Sequence, residues 1–92
     1  MNYVITAAGA RALHEAARSE GSLVIWTVMR ETADIQHPFC ARAHIVRGDK
    51  SLISHEVLVG QTIDEVRAMI PPGLHKLARA PVDDTVIVET WM

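Results

Sequence analysis

Five histidines (His14, His37, His44, His55 and His75) and one cysteine, Cys40, are the side chains of this 92-residue sequence with the most versatile chemistry. Imidazole and thiolate can ligate zinc, and paired they can serve as base and nucleophile. The densest grouping is His37-Pro38-Phe39-Cys40 followed by His44. A zinc centre needs three or four donors converging at about 2.0–2.3 Å. In the strand register derived below, Cys40 and His44 share a face that His55 does not, so no metal site is expected. Nothing in the sequence supplies a group to orient a Cys–His pair, or an oxyanion hole, and Cys40 reads as a small, partly buried strand residue. Asp83-Asp84, with Glu89 beyond them, offers paired carboxylates. Adjacent aspartates ahead of a strand form turns, because their side chains hydrogen-bond nearby backbone amides. Trp26 and Trp91 have faces on which a ligand can stack, but each sits in a strand-like run and is expected to fill the core or its edge. No catalytic residue is therefore assigned, and no cofactor.

The elements that position these residues follow from composition and pattern. Apolar residues make up 49% of the chain and charged residues 22%, which suits one globular domain over residues 1–92 rather than a disordered segment. The formal charge of −2, from 9 basic and 11 acidic residues, gives no overall positive field for a phosphate backbone. One cysteine precludes an intramolecular disulfide, which fits a reducing, cytoplasmic setting. The start Met1-Asn2-Tyr3-Val4 lacks a basic signal-type leader, and no apolar run approaches the roughly 18 residues of a membrane span.

After a short apolar entry strand at Tyr3–Ile5, Thr6 is placed to cap a helix over Ala7–Ser19, with Gly21 ending it and Ala10, Leu13, Ala16 and Ala17 forming a thin apolar stripe. Leu23–Met29 is an apolar, β-rich run expected as a central strand covered on both faces, and the polar stretch 31–38 as a loop. Phe39–Arg47 and Ser51–Val59 flank Gly48-Asp49-Lys50, which predicts a hairpin with a three-residue loop. Pairing Arg47 with Ser51 sets Phe39, Ala41, Ala43 and Ile45 opposite Val59, Val57, His55 and Ile53, and places Arg42 beside Glu56. Thr62-Ile63-Asp64-Glu65 is a capping box opening a helix that runs to about Ile70, where Pro71-Pro72 stops it. Leu74–Val82 is expected to be irregular, and Val86–Trp91 to be a closing strand. The order predicts an α+β fold, with an antiparallel or mixed sheet of about four strands and two helices packed on one face.

Pro71-Pro72-Gly73-Leu74, Arg79, Pro81, Asp83-Asp84, Val86-Ile87-Val88-Glu89 and Trp91 together resemble the C-terminal signature of small uncharacterised proteobacterial proteins. The Thr62–Arg67 helix and the Trp26 strand are similar in placement, so the likeness extends over residues 23–92. It implies one compact domain and carries no activity or catalytic residue with it.

These readings favour a non-catalytic protein-interaction or regulatory module, such as an accessory or phage-type inhibitor of a larger host complex, and a homodimer. Its partner surface is expected at Leu74, His75, Lys76, Leu77 and Arg79, where two prolines restrict the free chain and leucines alternate with cations. One alternative is a small hydrolase or metal-dependent enzyme using Cys40 and the histidines, or Asp83 and Asp84. A second is a nucleic-acid-binding regulator with a local patch of Arg30, Arg42, Arg47, Lys50, Lys76 and Arg79.

Overall fold

A computed structural model describes residues 2–30, 35–78 and 86–92. Thr6 adopts an extended conformation and its hydroxyl accepts from the Gly9 amide at 3.1 Å, opening helix α1 over Ala7–Ser19. Gly21, at a φ of +85°, follows the helix in the left-handed region that other residues avoid. The capping box forms as expected. Thr62 Oγ1 accepts from the Glu65 amide and Glu65 Oε2 accepts from the Thr62 amide, which starts helix α2 over Ile63–Met69.

The strands are β1 (Tyr3–Val4), β2 (Leu23–Arg30), β3 (Phe39–Arg47), β4 (Lys50–Gly60), β5 (Lys76–Ala78) and β6 (Ile87–Trp91). All six join one sheet in the order β1-β4-β3-β2-β6-β5. The β1–β4 pair is parallel and the others are antiparallel, so the sheet is mixed. Among the described residues the fold is α+β with two helices, but the sheet has six strands rather than about four. Two of the six are short edge strands. The entry strand, expected at Tyr3–Ile5, adds beside Glu56 and Val57, whereas Lys76–Ala78, expected to be irregular, pairs with β6. A piece of three residues carries too little alternation to announce itself as a strand.

Both helices pack on one face of the sheet. Val24, Trp26 and Val28 of β2, Ala41 and Ala43 of β3 and Leu58 of β4 form one core with Ala10 and Ala17 of α1 and Val66 and Ile70 of α2. The volumes are complementary. Trp26, wholly buried, stands opposite Ala43 on one side, and the small side chains of β3 leave room for the indole beneath the alanines of α1. Among the described residues no helix covers the opposite face of β2, where Leu23 is exposed and Ile25 and Met29 are half-buried, so this strand is covered fully on one face only. On that second face Ile35 packs over Cys40 and Val57 in a smaller cluster.

The hairpin register differs from the expected one. Arg47 pairs with Lys50 across a two-residue turn at Gly48-Asp49, and the same alignment sets Ile45 opposite Leu52 and His44 opposite Ile53. Beyond an irregularity the alignment shifts by two residues, and Arg42 pairs with Val57 rather than lying beside Glu56. Ser54, almost fully buried, fixes the bulge. Its hydroxyl donates to Glu56 Oε2 at 2.7 Å and accepts from the Glu56 amide at 3.0 Å. Because the bulge adds two residues, it preserves the alternation of faces. Leu52 and Leu58 therefore both point to the helix side, and Ile53 and Val57 to the other.

Candidate interaction surface

The fold sets several of the groups singled out for chemistry on different elements. Cys40 is 1% exposed beneath Ile35, and His44 lies four residues further along β3, a separation of about 13 Å at the usual strand rise. That is too far for a thiol–imidazole hydrogen bond. His14 is on α1, His55 on β4, His37 precedes β3 and His75 precedes β5. Among the described residues no three of His, Cys, Asp and Glu come together. Asp83 and Asp84 lie outside the described residues.

Two of these side chains have structural work. His14 is half-buried on the inner side of α1, where its Nδ1 accepts from Trp26 Nε1 at 3.1 Å. Burial, with Arg18 nearby, lowers the His14 pKa below the ordinary histidine value. His44 is lowered likewise by burial and by Arg42 beside it on the same face. Glu89 is 3% exposed and accepts three bonds, from Arg67 Nη2 at 2.6 Å and Nε at 3.1 Å and from Trp91 Nε1 at 2.6 Å. The Arg67 bonds hold its carboxyl below the usual carboxylate range against the opposing effect of burial. The network ties α2 to β6 and satisfies the Trp91 indole N–H. Its sequence signal was a single acid inside the apolar run Val86–Trp91.

The basic side chains do not gather into one patch. Arg30 ends β2 opposite Phe39, whereas Arg47 and Lys50 flank the hairpin turn, about 26 Å away along eight residues of β3. Arg42 is half-buried on the open face and Lys76 is on the far edge strand.

The proposed partner segment forms that far edge. Gly73, at a φ of +85°, turns the chain out of α2, and the His75 amide donates to the Met92 carbonyl at 2.8 Å. Leu74 is half-buried against the main core, whereas His75, Lys76 and Leu77 are exposed, Leu77 by 46%. Arg79 lies outside the described residues.

At the opposite edge a second surface emerges that was not legible beforehand. β1 covers β4 only at Glu56 and Val57, so among the described residues the outer edge of β4 has no strand neighbour along Lys50–His55. Leu52 is 62% exposed on the helix side and Ile53 is 50% exposed on the other. Helix α1 ends at Ser19, short of this region, and leaves a recess of about 540 Å³ lined by Ser22, Ile45 and Leu52 with Glu20, Arg47 and Lys50 at its rim. No protein-family model, curated protein or solved structure matches the chain.

Proposed function

We propose that this chain is a small non-catalytic interaction or regulatory module, of the kind that an accessory protein or phage-type inhibitor presents to a larger complex, and that it self-associates. The observation that supports this reading is the placement of exposed apolar groups. Of seven large apolar side chains with high exposure among the described residues, three sit on the edge strands (Tyr3, Val4 and Leu77) and two, Leu52 and Ile53, on the part of β4 that β1 leaves uncovered. A strand edge with alternating apolar side chains is the chemistry of β-augmentation, in which backbone hydrogen bonds supply affinity and side-chain contacts supply selectivity. On this reading His75, Lys76 and Leu77 touch the partner, Leu74 anchors the segment from within, and Arg79 extends its positive charge.

Replacing Lys76→Glu together with Leu77→Asp is expected to abolish partner capture from an extract of the source cell, scored by mass spectrometry against the unaltered protein. The melting temperature should hold, because both side chains are exposed. Unchanged capture would remove this segment from the partner surface, and a collapse of thermal stability would make its role structural.

A further inference from the structure

Among the described residues the outer edge of β4 is uncovered along Lys50–His55 and apolar at Leu52 and Ile53, with Lys50 at one end of the stretch and the Ser54 bulge at the other. Folded proteins shield such edges with charges, prolines, bulges, cover or very short strands. The β5 edge is protected in this way, being three residues long and carrying Lys76. Along Ser51-Leu52-Ile53-Ser54 there is neither a charge nor a proline, and Leu52 and Ile53 project from opposite faces into solvent.

We propose that this edge is the site of self-association, a second copy adding its own β4 antiparallel about a two-fold axis at Leu52 so that two sheets become one. The inference rests on the interaction-module reading only in that it assigns the self-association a surface. The occupant follows from the strand's own register. Antiparallel self-pairing about a perpendicular two-fold must be centred on a residue, since facing residues share a side of the sheet. Centring on Leu52 sets Leu52 against Leu52 of the second copy, Ser51 against its Ile53, and Lys50 against its Ser54.

The charges agree with that arrangement. Lys50 then lies diagonal to Glu56 of the second copy on the same side of the sheet, and the two-fold repeats the pair, so opposite charges meet at both ends. A parallel arrangement would instead set Lys50 beside Lys50. Centring on Ile53 would require Lys50 to reach the edge of Glu56 that Tyr3 already occupies. The Leu52 register also brings β1, with Tyr3 58% exposed, against the hairpin turn of the second copy.

Five paired residues on each chain make an interface of the small class, below about 1,200 Å² in total, so association is expected only at high micromolar concentration. Sedimentation equilibrium at several hundred micromolar should give twice the 10.1 kDa chain mass, and Leu52→Lys, which opposes two ammonium groups at the axis, should give the single chain mass. Geometry is read independently by cysteine cross-linking under mild oxidation. Leu52→Cys places two Cβ atoms about 4.5–5.5 Å apart and should form a covalent dimer, whereas Ile53→Cys leaves about 7–8 Å and should cross-link at least tenfold more slowly. The native Cys40 is buried, and the unaltered protein serves as the control.

A chain mass of 10.1 kDa at every concentration, a dimer that survives Leu52→Lys, or equal cross-linking of the two cysteine variants would each overturn the proposal. Because partner capture is assayed through Lys76 and Leu77 on the other edge, a monomer that still captures its partner overturns this interface alone.

Discussion

Glu89 shows how an acid within an apolar strand run becomes part of the core. It faces Val28 on the helix side of the sheet, where three donors surround its two oxygens. Breaking a buried pair from one side costs more than the pair contributes, because the remaining donors lose their acceptor without regaining water. Glu89→Gln keeps the shape but puts an amide where at least one donor must meet another donor. It is expected to lower unfolding free energy by about 2 kcal/mol, somewhat under the range for fully buried pairs because Arg67 retains partial access to water. Denaturant titration measures this, and an unchanged midpoint would show that Arg67 and Trp91 are satisfied without the carboxylate.

At the scale of elements, the bulge in β4 decides what the hairpin presents. Two registers, one on each side of Ser54, meet through its paired bonds with Glu56. Ser54→Ala leaves the Glu56 amide without that acceptor and is expected to cost about 1 kcal/mol. Amide exchange should rise first at Glu56, and an unaltered exchange rate there would mean that the bulge is held by other contacts. The helices are simpler. Thr6 and Thr62 were legible as caps because capping is local chemistry, needing only a side chain and the amides of its own first turn. The bulge was not legible, since serine within a strand carries no signal of which neighbour it will bond. The expected single alignment fell midway between the two that occur.

For the whole molecule, the pH dependence of stability sums these environments. A histidine whose folded pKa is lowered contributes nothing unfavourable above the unfolded value of about 6.5, where both states are neutral. As pH falls below that, the unfolded chain takes up a proton that the folded one resists, and stability declines until the lowered folded value is reached. His14 and His44 both act in this direction. Glu89 adds a later loss: its contribution is complete above the unfolded carboxyl value of about 4.3 and disappears as pH falls through the lower folded value. The melting temperature should therefore be level from pH 8 to 7, decline below about 6.5 and decline again below about 4.3. In His14→Gln the amide oxygen can still accept from Trp26 while nothing titrates, so the first decline should shrink without vanishing, since His44 remains. Calorimetry across pH reads the difference, and identical slopes in the two proteins would exclude His14 as a contributor.

The sequence by itself determined the two helices, their caps, the central strands and the α+β class, because each depends on side chains within one turn of one another or on the period of a single run. It also set Trp26 in the core or at its edge and Cys40 as partly buried, and the packing encloses both almost completely. Only the tertiary structure decided that His14 faces Trp26, that Arg67 and Trp91 meet on Glu89, that Lys76–Ala78 adds a strand at the far edge, and that Leu52, among the described residues, stands on a part of β4 with no strand beside it. Each of these joins residues distant in sequence or depends on where a helix stops. Their energies arise from desolvation and register, which one segment cannot express until its neighbours are in place.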